Sequence, residues 1–152
     1  MNFPPVENGI NYLRRVSANL RHGPPGPQEL TYVVLDLYAA AEVLLKARLA
    51  QADWTQIFRH PRDANRAGYE SGDFESCSIT RAITRLKTVA GVAVDGPAAE
   101  SLAVLGCWRN KLQHHGLQRV LAREVEARAG QVLDFLVGFV FAELLPPVPK
   151  RP

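Results

Sequence analysis

Apolar residues recur at helical spacing through most of the chain, and Gly and Pro mark the places where that spacing stops. The first stretch, about Val6 to Arg21, carries Ile10, Leu13, Val16 (or Ser17) and Leu20 on one face, after a short extended lead, Phe3-Pro4-Pro5. His22 to Pro27, H-G-P-P-G-P, cannot continue a helix. A second helix, Gln28 to about Gln51, has the clearest stripe: Leu30, Val33, Val34, Leu37, Ala41, Leu44, Leu45 and Leu49. Glu42 and Lys46 stand i, i+4 on it with the acid first, the favourable order for a surface pair. Asp36 is the odd polar group beside the stripe, placed to border a dimer interface or to cap a neighbouring group.

The pattern lapses from Asp53 to Ser76. D-W-T-Q-I-F reads as a helical turn capped by Asp53, followed by the basic R-H-P-R-D-A-N-R and the glycine-bearing G-Y-E-S-G-D-F. A segment this long without periodicity is either a solvated loop or a substrate-contacting one. Arg59, His60, Arg62 and Arg66 give it a positive sign. A third helix should start after the cap signals at Ser76–Ser78 and run to Ala90, with Ile79, Ile83, Leu86 and Ala90 inward and Arg81, Arg85 and Lys87 on a basic outer face. A fourth, about Pro97 to His115, opens with Pro in its first turn and is stopped by Gly116. Leu102, Leu105, Cys107 or Trp108, and Leu112 point inward.

A last helix is expected from about Leu117 to Leu145, with Gly130 and Gly138 as the places where it could bend. Leu121, Val125, Ala129 and Val132 form the apolar face of its first half. Its second half is apolar nearly all round and is therefore central or covered by a partner chain. The expectation is an all-α, up-and-down bundle of about five helices in a single domain over 1–152. Order should extend over about 6–145, with P-P-V-P-K-R-P at 146–152 as a tail.

Composition changes this picture little. A formal charge of +3 does not select nucleic acid, although 14 of the 18 basic residues are Arg, the better bidentate partner for phosphate. A GC-rich genome would give the same bias. Cys77 and Cys107 have no paired spacing, which fits a reducing compartment and not a disulfide scaffold or zinc module. The opening M-N-F-P-P-V-E lacks the layout of a secretory leader, and no run of apolar residues is long enough to span a bilayer. A cytoplasmic protein without membrane association is expected. No phosphate-binding glycine loop, nucleophile elbow or strand alternation occurs.

The distribution of charge is more informative. Between Glu100 and Glu124 there is no acid, while Arg109, Lys111, Arg119, Arg123, His114 and His115 all lie there. Such a neighbourhood suits a phosphodiester, whose transition state carries extra negative charge. An imidazole can transfer a proton at neutral pH, and RNA brings its own nucleophile in the 2′-hydroxyl. Asn110 and His114 are i, i+4 and share a face. Arg109 and His114 are five apart, roughly 140° around the helix and ~7.5 Å along it, so one copy makes a poor two-residue site. Two copies facing across a dimer axis could bring both pairs into one cleft. An Arg followed by a His after four to six residues arises about once by chance in such a composition, so the setting carries more than the spacing. The bland alternative is that His114 and His115 are helix-end histidines, favourable at the negative end of the dipole. No third ligand is spaced with the adjacent histidines for a metal, and no cofactor is implied.

R-N-K-L-Q-H, Arg109 to His114, resembles the Arg, polar residue, then His motif of the HEPN superfamily. Y-A-A-A-E-V-L-L-K-A-R-L-A, Tyr38 to Ala50, is similar to an upstream helix of bacterial relatives, as are D-W-T-Q-I-F and E-S-G-D-F-E-S-C-S. The likeness covers about Asp36 to Gly116. The family often has an aromatic soon after the His, where this chain reads H-H-G-L. The resemblance implies a helical domain, usually dimeric, with a composite cleft at the two-fold. It implies a metal-independent endoribonuclease of toxin, phage-defence or RNA-processing type, or a relative that only binds RNA or a protein such as an antitoxin. Arg109 would stabilise the phosphate, His114 would be the acid/base, and Asn110 would position either. Lys111, His115, Arg119 and Arg62 would contact substrate. His115 also meets the looser spacing, and His114 is preferred because it shares the face of Asn110.

Overall fold

The four other helices that build the core all pack on α2 (Pro27–Ala52). The structure, a computed structural model, describes residues 4–145. The expected tail at 146–152 lies outside the described residues, as do residues 1–3. The elements are α1 (Pro5–Arg21), α2, a short α3 (Arg66–Ser71), α4 (Ile79–Arg85), α5 (Gly96–His114) and α6 (Ala122–Phe139), with π-helical turns extending α4 over Leu86–Ala90 and α6 over Val140–Leu144. The chain is all-α, as the apolar periodicity requires, and α3 is the one helix beyond the five expected.

α2 begins with Pro27 in its first turn, where the missing N–H costs nothing, and ends where Asp53 turns extended at φ −159°. Its buried positions include Leu30, Val33, Val34, Leu37, Ala41, Leu44, Leu45 and Leu49 along the predicted stripe, but also Asp36 and Ala40 beside it. The helix is therefore covered on more than one side. Close approach to α1 comes from Gly9, where a Cβ would stand 2.5 Å from Leu44 Cγ and Cδ2. Only a residue without a side chain fits there.

The same α1–α2 contact explains Asp36. It is buried, and its Oδ1 meets Arg15 Nη2 at 3.0 Å, while Oδ2 has no hydrogen-bond partner among the described residues. Burial pushes its carboxyl above the ordinary range, against the pull of Arg15. A folded-state pKa raised above 3.8 means that the group's stabilising contribution is full below about pH 4 and is lost as pH rises through the folded value. Asp36→Asn should therefore flatten the decline in unfolding free energy from about pH 4 upward relative to the parent, and Arg15→Ala should steepen it. Urea titrations at a series of pH values read the difference.

α6 begins at Ala122, not at Leu117. Gly116 at φ 87° and Arg119 at φ 61° both take the left-handed conformation, which interrupts any helix. Leu117 and Val120 instead lie beside Pro25, Pro27, Leu30, Leu112 and Val125, over the start of α2. Leu121, expected inward, is 55% exposed just ahead of the helix. Val125, Ala129, Val132, Leu136 and Phe139 form the buried face of α6, while Val137 and Phe141 remain exposed. Arg48 Nε bonds Glu143 at 3.2 Å and ties the far end of this element to α2. Among the described residues, no helix is long and apolar enough to cross a membrane.

Candidate functional site

Asp95 caps α5 by accepting from the Ala98 N–H at 2.8 Å, and Pro97 sits in the first turn. Leu102, Leu105 and Trp108 are buried, and Cys107 is exposed, which resolves the choice between 107 and 108. The helix ends where the Lys111 carbonyl accepts from both the His115 N–H (2.9 Å) and the Gly116 N–H (2.7 Å). Gly116 takes the left-handed conformation expected of a residue just past a helix end.

Trp108 points inward and leaves its neighbour Arg109 at the margin of the core. Arg109 is half-buried, with Cζ 5.3 Å from the centroid of the Tyr38 ring, and its Nη1 donates to Asn110 Oδ1 at 3.3 Å. The ring reaches α5 because residue 106 is glycine: a Cβ there would stand 3.0 Å from Tyr38 Cε2. Burial raises the Tyr38 hydroxyl above its ordinary range, Glu42 adds to the rise, and Arg109 opposes it. The guanidinium is thus held on an aromatic face and by a neighbouring amide, two contacts that fix its direction and leave its charge unneutralised. Tyr38 is a site residue that sequence reasoning did not single out; the Gly106 before Cys107-Trp108 is the local sign of its approach.

His114 is the last residue of α5 and is exposed, one turn beyond the exposed Asn110. His115 has left the helix, at φ −158° and ψ 6°, and is exposed as well. The two histidines therefore depart from the helix on different backbone geometries, and only His114 continues the line of Asn110. No hydrogen bond joins Arg109 to His114 among the described residues, in keeping with their five-residue separation. Lys111 is exposed on the same helix, and Arg119 is exposed in the left-handed turn that follows. Arg62 lies elsewhere, exposed in the 3-10 turn Pro61–Asp63, which packs on the turn Trp54–Ile57 and not on α5.

The segment from Asp53 to Ser76 is built, not loose. Asp53 accepts from the Thr55 hydroxyl (2.7 Å) and N–H (3.0 Å), which hold its carboxyl below the ordinary range. Trp54, Phe58, Tyr69 and Phe74 form a satellite aromatic cluster, with Phe58 and Phe74 stacked at 4.2 Å. An antiparallel bridge pairs Phe58 with Ser76, through Arg59 N to Glu75 O and Cys77 N to Ile57 O, both 2.8 Å.

Arg85, expected on an outer basic face, turns back instead. Its Nη1 donates to the Gln56 and Phe58 carbonyls at 2.7 Å, and its Nη2 to the Arg59 carbonyl at 3.1 Å. A lysine cannot make this three-point contact. Arg85→Lys should lower stability by about 1–3 kcal/mol and speed amide exchange selectively around residues 56–62, which mass spectrometry resolves.

No family model matches this chain, and comparison with curated proteins and with solved structures finds no similar protein.

Proposed function

We propose that this protein is a metal-independent endoribonuclease of the HEPN type, working as a homodimer whose two copies of Arg109, Asn110 and His114 line one cleft. The observation that carries the reading is an oriented guanidinium and an exposed imidazole on one helix, in a stretch between Glu100 and Glu124 that contains no acid. Arg109 is oriented by Tyr38 and Asn110, while His114 stands exposed one turn beyond Asn110.

The chemistry follows from those parts. The RNA 2′-oxygen attacks the adjacent phosphorus as its proton passes to an imidazole. The P–O5′ bond breaks, and the leaving 5′-oxygen takes a proton from a second imidazolium. The products are a 2′,3′-cyclic phosphate and a 5′-hydroxyl end. Arg109 holds the charge that builds on the non-bridging oxygens. Two imidazoles in one cleft, one from each subunit, supply base and acid together, and this is the reason the reading calls for a dimer. Lys111, Arg119 and His115 extend the positive surface along the strand. The role fits a toxin or defence nuclease held in check by a protein partner in the cytoplasm.

A second reading is a non-catalytic module that binds RNA or a protein. It is favoured by the engagement of Arg109 with its own neighbours and by the separation of Arg109 from His114 on one chain. Incubation of purified protein with structured RNA, with and without EDTA, separates the two. Cleavage that survives chelation, from a protein that sediments as a dimer, supports the nuclease. Tight binding without products supports the module, and a stable monomer would count against the composite cleft.

A further inference from the structure

A polar cavity of about 700 Å³ lies between the Arg59–Ser78 segment and α4, away from Arg109 and His114. Its lining includes Arg59, Arg81, Arg85 and Ser78 together with two carboxylates, Glu42 and Glu75. Four cations stand in or beside it, and two of them are matched by carboxylates. Arg59 pairs with Glu75, and Lys46 lies 3.4 Å from Glu42. The Arg85 guanidinium is satisfied by three carbonyl oxygens, which hold its orientation but do not cancel its charge. Arg81 is exposed and makes no ion pair among the described residues.

The hydroxyls are arranged as donors. Ser76 Oγ accepts from Lys46 Nζ at 2.8 Å and Ser78 Oγ accepts from the Arg81 N–H at 3.2 Å, so each O–H proton is left for a ligand. A concave site with two unmatched guanidinium charges and hydroxyl donors suits a tetrahedral oxyanion. Asp63 and Asp73 lie in a separate depression beyond Arg59 and His60, and they set the limit of the positive region on that side.

The geometry points to this cavity as a phosphate-binding subsite for RNA, gripping a backbone phosphate away from the scissile one; the inference rests on the nuclease reading. Tyr38, Glu42 and Lys46 follow one another at four-residue intervals on α2, so the line from the Arg109 platform to the cavity rim is ~12 Å along one helix. A strand running along α2 would meet Arg109 at one end, pass the Glu42–Lys46 pair, and reach Arg81 at the other. Arg81 is the residue on which binding turns, because its charge is committed to nothing else.

The test uses the whole chain and a short single-stranded RNA labelled for fluorescence anisotropy. Arg81→Gln is expected to weaken RNA binding about tenfold near 100 mM salt and to lower the salt dependence of the logarithm of affinity by about one contact, and Arg81→Glu to weaken it further. Inorganic phosphate should shift the amide resonances of Ser76–Arg81 in the parent and not in Arg81→Glu. A parent that cleaves RNA while both Arg81 variants keep its affinity and salt slope overturns the subsite and leaves the nuclease standing. A parent that binds no RNA overturns both. Binding of phosphate without any effect of Arg81 on RNA affinity also overturns it, since the cavity would then serve another phosphate-bearing ligand. Unchanged circular dichroism of both variants excludes misfolding as the source of any loss.

Discussion

His114→Ala is expected to reduce RNA cleavage about 10²–10⁴-fold, the range for loss of a positioned proton-transfer group, with RNA affinity changed little. The imidazole is exposed at the end of α5 and has no side-chain partner among the described residues, so its removal should leave the fold intact. Arg109→Ala should produce a loss of similar size, with some weakening of binding, because the guanidinium meets phosphate in both ground and transition state. Arg109→Lys is the sharper variant: it keeps the charge but gives up the planar contact on Tyr38 and the fork toward two oxygens. The dimer adds a further expectation. Mixing the parent with excess His114→Ala protein under exchange conditions should lower cleavage by more than dilution alone, since a mixed cleft holds one imidazole where base and acid need two. Initial rates on a labelled oligonucleotide, measured with EDTA present, decide it. Cleavage undiminished in both single variants would sink the nuclease reading.

What could be foreseen from the residues depended on how far apart the cooperating groups lie. α2 announces itself, because Leu30, Val33, Leu37, Leu44 and Leu45 repeat at the period of the helix that they build. α1, α4 and α5 follow from the same rule, the last two helped by the cap signals at Ser76–Ser78 and by Pro97; Pro5, read as part of an extended lead, is instead the first residue of α1. Leu117, Val120 and Leu121 defeated it. Their spacing imitates a helical face, yet two left-handed residues interrupt the backbone, and Leu117 and Val120 dock on α2 in an irregular chain. Gly116 was visible as a stop; Arg119 gave no warning, since a non-glycine residue rarely adopts that conformation.

The candidate site divides along the same line. Arg109, Asn110 and His114 are neighbours in sequence and could be read together. Tyr38 belongs with them only because α2 crosses α5 at Gly106, sixty-eight residues downstream. Arg85 holds carbonyls 26 to 29 residues away, and the aromatic cluster spans Trp54 to Phe74. Neither follows from a local pattern, so the Asp53–Ser76 segment read as loop and its cavity went unseen.

The largest effect on stability is expected from Leu44→Ala, a loss of about 2–5 kcal/mol. Leu44 is fully buried on α2, and α1 touches it through the bare backbone at Gly9. Truncation removes the apolar surface that fills the space above Gly9, and two rigid helices held by Val16, Leu37 and Leu13 cannot close fully around the gap. Gly9→Ala alone should also destabilise. Its Cβ would lie 2.5 Å from Leu44 Cγ, a branch atom that cannot swing away, and overpacking of about 1–3 kcal/mol outweighs a helix-propensity gain of about 0.5–1 kcal/mol. The two changes are not additive. Once Leu44 is Ala, the methyl at position 9 enters vacated space, and Gly9→Ala should become stabilising. The sign reversal, read from urea unfolding of the two single variants and the double, is the signature of direct contact between these helices. Additive losses would mean that α1 does not rest on α2 at Gly9, and that the packing of the first helix is set elsewhere.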